Sequence, residues 1–308
     1  MENNVEKTYW LQALSPLHVG AGRGVGYIDL PIIREKVTNW PYIPGSAVKG
    51  VVADRFRATP DARKNDAELS AAFGRANDDK DIEAGAASGS LVFSDASIVC
   101  LPVRSFYGTF AWLTSPLALK RLRNPRKPGE LSLQPESDEV FTLRENAITP
   151  KEGPETAKED VKVYLEDIDL KVRDGETLQE WGDFLAGELF AGDDGWQKIF
   201  RERFALVNDD IFTFLCETGT EVSARIRIKD DTKIVSGGAL WYEESLPVET
   251  VLAGVIWCDR VYGSGSGKPA AQRLMERFCK EPLDLQIGGK ASIGKGRVRC
   301  VFSGEAGQ

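Results

Sequence analysis

An isolated carboxylate beside a glycine-rich loop is the first chemistry this sequence offers. Asp29 stands between apolar neighbours in Tyr27-Ile28-Asp29-Leu30-Pro31, where a plain core strand has no use for a charge. Just before it, Gly20, Gly22, Gly24 and Gly26 put four glycines into seven residues. Backbone of that kind can approach a ligand closely, because no Cβ stands in the way. His18, the only histidine of the chain, opens the loop. A carboxylate here could act as a general base or hold a cation, and the imidazole could do acid or base work. The plainer readings are an aspartate that caps backbone amides in a turn and a histidine satisfied at a strand end. With one histidine and no CxxC pair, any metal must be a hard cation, Mg2+ or Mn2+, held by Asp29 together with substrate phosphate oxygens.

A second glycine loop runs Gly288-Gly289-Lys290-Ala291-Ser292-Ile293-Gly294-Lys295-Gly296-Arg297. It spells most of a nucleotide-binding P-loop, but Gly296 stands where Ser or Thr should hold magnesium, and only twelve residues follow it. Nucleotide hydrolysis is therefore rejected. What is left is a flexible basic loop, with Lys290, Lys295, Arg297 and Arg299 suited to a phosphate backbone. A third basic set lies in Glu221–Lys229, where Ser223, Arg225, Arg227 and Lys229 alternate with Val222, Ala224, Ile226 and Ile228, and Lys233 follows. Lys49, early in a helix after Gly45-Ser46, would reinforce an anion site at that helix start.

The elements that must position these residues can be outlined. Residues 8–14 read as an opening strand and Tyr27–Ile33 as a second extended piece. A helix follows over Ala47–Phe56 with Ser46 near its N-cap, and a short helix over Glu68–Phe73. Ser90–Val99 reads as a strand, Ser105–Trp112 as a short strand and Leu117–Leu122 as a helix. Beyond them come a strand at Val161–Leu165, helices at Leu178–Leu189 and Trp196–Phe204, and strands at Ile211–Glu217, Glu221–Lys229 and Val248–Cys258. A helix over Gln272–Phe278 and strands at Leu285–Ile287 and Arg297–Phe302 complete the reading. No steady βαβ rhythm emerges, so the expectation is α+β with insertions.

Composition narrows the class. The 308 residues are 42% hydrophobic and 28% charged, as in soluble globular proteins, with no apolar run near membrane-span length. The polar, acidic start MENNVEKTYW is not a signal peptide. Cysteines 100, 216, 258, 279 and 300 are scattered and odd in number, which points to reduced thiols in a cytoplasmic protein. The net charge of −8 is uneven: Glu130 to Asp194 holds 19 acids and 6 bases, and the rest 33 bases and 28 acids. An acidic segment masks a basic body, so nucleic acid stays possible as a partner.

Four segments carry a family resemblance: LSPLHVGAGRGVGYIDLPIIRE, WPYIPGSAVKGVVADRFR, SARIRIKDDTKIVSGGALWYEESLP and LQIGGKASIGKGRV. Together they resemble the backbone RAMP subunits of the type III-B CRISPR effector, the Cmr complex. The resemblance implies one RAMP domain over residues 1–308, a modified RRM-like (ferredoxin-like) palm with helical insertions and a β-hairpin thumb. The thumb falls on about 219–247 and the acidic, partly helical insertion on about 115–205. Implied partners are CRISPR RNA, complementary target RNA, further copies stacked head to tail, and other Cmr subunits, with no membrane.

The thumb would place Arg225, Arg227, Lys233 and Trp241 on RNA, while Lys49, Gly288, Gly289, Lys290, Lys295 and Arg297 grip the guide. The family's cleavage aspartate falls on Asp29, in the matching YIDLPIIRE motif. As base or cation ligand it would promote attack of a target 2′-hydroxyl on the adjacent phosphate, with the metal stabilising phosphorane charge. His18 could assist the leaving oxygen, and Glu243 and Glu244 are weaker candidates for the metal surroundings. Two rivals stand beside this: a binding module that coats RNA without cutting, and a standalone RAMP ribonuclease that processes precursor RNA.

Overall fold

The computed structural model describes residues 5–22, 24, 26–57, 66–75, 87–150, 161–228, 231, 235–262 and 270–304. Its opening strand β1 (Val5–Ala13) leads through the glycine loop to α1 (Gly45–Phe56) and α2 (Ala67–Phe73), then β2 (Ala96–Arg104). Next come β3 (Phe110–Thr114), α3 (Pro116–Arg121), β4 (Glu139–Thr142), β5 (Lys162–Leu165) and β6 (Ile168–Asp174). Helices α4 (Glu176–Leu189) and α5 (Asp194–Arg201), strand β7 (Phe204–Val207) and α6 (Asp209–Thr218) lead to a hairpin, β8 (Glu221–Ile228) and β9 (Val235–Ser245). The chain then runs through β10 (Val251–Cys258), α7 (Ala271–Phe278), β11 (Leu283–Gln286) and β12 (Arg297–Phe302).

One large sheet carries the order β11-β12-β1-β10-β2-β3-β7-β4-β6-β5. Its segment β12-β1-β10-β2 is antiparallel throughout. With α1 between β1 and β2 and α7 between β10 and β12, this is the RRM-like, ferredoxin-like palm of an α+β protein. Alternation along β1 sends side chains to opposite faces. Tyr9 and Leu11 pack with Val48 and Val52 of α1 and Leu274 and Phe278 of α7. Trp10 enters a second core with Trp112, Trp181, Leu185 and Phe200, under helices of the acidic segment. Beyond β2 the sheet rolls back on itself: Glu166 N–H donates to Arg104 O and Phe106 N–H to Tyr164 O, each at 3.0 Å. Leu101, Leu113, Val140, Val163 and Phe212 fill a third core there.

Three local expectations are corrected. Ile211–Glu217, read as a strand, lies in helix α6. Asn208 caps it by accepting from Ile211 N–H at 2.8 Å, and Phe212, Leu215 and Cys216 bury one face at helical spacing. Ser46 does not cap α1, which starts at Gly45 after Pro44. The Gly45 N–H donates to Asp95 Oδ1 at 2.8 Å, and a Cβ on Gly45 would lie 2.2 Å from Phe93 O. A carboxylate therefore already sits at the helix start that was read as an anion site. Finally, Tyr27–Ile33 makes isolated bridges, Gly20 with Ile32 and Leu30 with Glu243, instead of a strand. All five cysteines are free and buried, and no helix among the described residues is long and apolar enough to cross a membrane.

Candidate functional site

The site is built where the hairpin returns to the palm. Leu30 runs beside β9: its N–H donates to Tyr242 O at 3.1 Å and its carbonyl accepts from Glu244 N–H at 3.0 Å. That pairing carries Asp29 to the hairpin root, where Oδ2 accepts from Tyr242 N–H at 2.8 Å. Asp29 is itself exposed. The Tyr27 ring, 72% exposed, meets the Tyr242 ring edge-on at 6.1 Å.

Consecutive residues of β9 point to opposite sides of the hairpin, so Glu243 and Glu244 anchor it in two directions. Glu244 Oε1 accepts from Arg34 at 2.6 Å and Thr220 Oγ1 at 2.9 Å, while Oε2 accepts from Ile32 N–H at 3.0 Å. Glu243 Oε1 accepts from Trp241 Nε1 at 2.7 Å and Lys290 Nζ at 2.8 Å. Its Oε2 faces Arg225 Nε at 3.5 Å and Lys295 Nζ at 3.7 Å. Burial alone would raise the Glu243 pKa. The Lys290 and Trp241 hydrogen bonds, with the positive charge of Lys290 and Lys295, outweigh it and hold the carboxyl at about 2. Three cations thus surround one carboxylate and leave an excess of positive charge one residue from Tyr242. For Lys295, burial pushes the pKa down, and Glu243 opposes that.

His18 joins the two glycine loops. It is buried, with Nδ1 2.7 Å from Glu244 O; a carbonyl only accepts, so Nδ1 carries the proton. Gly289 N–H donates to His18 O at 2.9 Å. Gly288 has φ of 78°, and a Cβ there would lie 2.2 Å from the same carbonyl oxygen. From the other side, a Cβ on Gly20 would lie 3.1 Å from His18 Nε2. The imidazole is a strut between loops 270 residues apart in sequence.

Of the expected site residues, the fold therefore gathers Asp29, His18, Arg225, Trp241, Gly288, Gly289, Lys290 and Lys295. Arg225, Trp241 and Glu243 share one hairpin face, as the alternation in the sequence requires, and Arg225 pairs with Trp241 in register. Lys290 and Lys295 are not free loop cations: one is bonded to Glu243 and the other is buried, donating to Ser245 Oγ at 2.8 Å. Arg227 and Arg297 are exposed. Lys49 lies half-buried on α1, outside the bonded group, its pKa lowered by burial and by Arg57. Lys229 and Lys233 lie outside the described residues.

The sequence reading missed Glu243 and Glu244 as anchors. Their adjacent charges in a strand-like run were the available signal, but their partners lie far away in the chain. Spent on arginine, lysine and amide donors, they have no lone carboxylate to offer a metal. Among the described residues no three His, Cys, Asp or Glu side chains are grouped to hold a cation. A resident metal centre does not fit these residues. What they offer is one carboxylate, Asp29, which can share a hard cation only with ligands from outside the chain.

A ferredoxin-like palm extended by a rolled second half, with a basic hairpin rooted between two glycine loops, defines a class of modified RRM-like proteins. Within that class, the chain belongs to the RAMP superfamily, whose family model matches residues 10–299. It is 33% identical over 300 residues to the CRISPR system Cmr endoribonuclease Cmr4 of Pyrococcus furiosus, covering 95% of this chain and 94% of that one. Oligomeric Cmr4 from P. furiosus has the same fold, with a TM-score of 0.67, 23% identity and coverage of 97% and 98%. So does a chain of type III-B Cmr-beta bound to cognate target RNA, with a TM-score of 0.67, 21% identity and 97% coverage of each.

Proposed function

We propose that this chain is a guide-RNA-coating backbone subunit of a type III-B CRISPR effector and that it cleaves complementary target RNA at regular intervals. One observation carries the catalytic part: Asp29 is exposed at the root of a basic hairpin, tethered through Oδ2 to the Tyr242 amide. The relative named as a Cmr endoribonuclease, alike along nearly the whole chain, supports the same reading. The partners are CRISPR RNA, target RNA, further copies of the chain and other Cmr subunits. Five free, buried thiols suit the reducing cytoplasm.

In this mechanism the Asp29 carboxylate takes the proton of a target 2′-hydroxyl. The 2′-oxygen then forms a bond to the adjacent phosphorus as the bond to the 5′-oxygen breaks, and the leaving 5′-oxygen takes a proton from water while Asp29 returns its own to solvent. The products are a 2′,3′-cyclic phosphate and a 5′-hydroxyl. Arg225, Lys290 and Lys295 supply the positive surroundings for charge that builds on the phosphate oxygens. Asp29, with phosphate oxygens of the RNA, would hold Mg2+ or Mn2+, which would offset negative charge on the phosphate. The buried, carbonyl-bonded His18 supports neither a leaving-group acid nor a histidine-based precursor-processing nuclease.

The Asp29–Tyr242 bond also favours a second reading, in which Asp29 clamps the hairpin and the chain coats RNA without cutting. Asp29→Asn separates the two, because an amide oxygen still accepts from Tyr242 N–H but is no useful base. In the assembled complex with labelled target, the variant should bind the target normally and lose the ladder of evenly spaced cuts. An unchanged ladder would remove Asp29 from catalysis. Loss of assembly in Asp29→Ala but not in Asp29→Asn would mark the clamp.

A further inference from the structure

An exposed aromatic pair stands beside the reacting carboxylate. The Tyr27 ring is largely open to solvent and meets the Tyr242 ring at 82° and 6.1 Å between centres. One exposed tyrosine alone needs no explanation. Here the pair continues along the hairpin, because β8 and β9 form a two-stranded sheet of their own. Their register sets Ala224 opposite Tyr242 and Ile226 opposite Leu240, so these four side chains share one face. Ile226 and Leu240 are exposed, and none of the four joins any of the three cores. Arg225 and Trp241, in register with each other, hold the opposite face. The hairpin thus turns a cation to one side and an uncovered apolar ledge to the other.

The ledge ends at Asp29. Tyr242 N–H donates to Asp29 Oδ2 at 2.8 Å, while the Tyr242 ring meets Tyr27, two residues before Asp29. Carboxylate and rings therefore lie within the span of one nucleotide. Attack by a 2′-hydroxyl needs its oxygen in line with the phosphorus and the leaving 5′-oxygen. A nucleotide stacked in a helix holds that oxygen off to the side, so the one that reacts must leave its stack. A base that does so gives up contact with its neighbours, and an aromatic face can replace them. Edge-on packing of two rings covers one face at most, which leaves tyrosine face open to a base.

We propose that Tyr27, braced by Tyr242, stacks on the nucleobase of the target nucleotide whose 2′-hydroxyl gives its proton to Asp29. Tyr27 is then a base-binding residue that holds the nucleotide out of its helix and over the carboxylate. Every nucleobase has a π-face, so the ledge takes any of the four and leaves sequence to the guide. A protein surface would suit the apolar side chains alone, but it makes no use of the neighbouring carboxylate. The proposal rests on the reading of Asp29 as the general base, and its first test needs no cutting.

Targets carrying 5-iodouridine at one position at a time are bound to the assembled effector bearing Asp29→Asn, which keeps the RNA whole, and irradiated. A crosslink to Tyr27 should form at evenly spaced positions, each on the 5′ side of a wild-type cut. With saturating target, Tyr27→Ala should slow every cut about tenfold, and Tyr27→Phe, which keeps the ring, should restore the rate. An abasic nucleotide at one cut should slow wild type there alone by a similar factor and slow Tyr27→Ala no further. No crosslink to Tyr27, a Tyr27→Ala variant as fast as wild type, or a Tyr27→Phe variant without rescue would each overturn the proposal. So would abasic and alanine effects that multiply, since base and ring would then act apart. Fewer copies assembled in Tyr27→Ala, with the rate per copy unchanged, would overturn it by giving the rings to a contact between proteins. Evenly spaced crosslinks to Tyr27 beside a wild-type effector that cuts nothing would instead count against the catalytic reading and leave the base site standing.

Discussion

Glu243 holds the site together at the scale of single residues. Replacing it with alanine leaves Lys295 buried and Lys290 and Arg225 without their carboxylate. The expected cost is about 3–5 kcal/mol of stability, read as a lower denaturant midpoint with unchanged slope. Its pKa in the fold, about 2 against the ordinary 4.5, means that folding favours the ionised form. The Glu243 contribution is therefore whole above about pH 4.5 and drains away as pH falls towards 2. The stability gap between wild type and Glu243→Gln should narrow over that window; a gap independent of pH would contradict the arrangement. Asp29 was legible in the sequence because a charge interrupted an apolar run. The Glu243 group was not, since nothing local pairs a carboxylate with a lysine 47 residues later.

Among the elements, amphipathic helices and alternating strands were legible where their period was clear. Both α4 and β1 fall close to their expected bounds. α6 was misread because Ile211–Glu217 is short, and short apolar runs suit either period. The Asn208 cap and the Phe212, Leu215, Cys216 spacing were the signals that settle it. Asn208→Ala should cost about 1 kcal/mol in thermal or denaturant unfolding. The late glycine loop depends on backbone approach, which composition cannot show. Gly288→Ala puts a Cβ against His18 O at a left-handed φ, so it should cost about 2 kcal/mol or more. RNA binding should fall with it, because the loop can no longer close on His18. Full stability in that variant would show that the loop yields.

At the scale of the molecule, the α+β class and a basic body behind an acidic segment were legible. The rolled second half of the sheet was not, because its parallel pairings of β3 with β7 and β4 with β6 join distant strands. With no grouped donors among the described residues, cutting should stop when divalent cations are chelated while target stays bound; cutting that persists would leave the work to Asp29 and the lysines. The strut between the glycine loops bears on how the protein is made. His18 is synthesised early, yet its partner loop and the neighbouring strand β12, which pairs with β1, come from residues 288–302. A chain still being translated short of those residues has Asp29 but neither Lys290 nor Lys295 beside it. The proposed site is thus assembled only once residues 288–302 have joined the early glycine loop, and a chain that stops short of them presents Asp29 without its second loop.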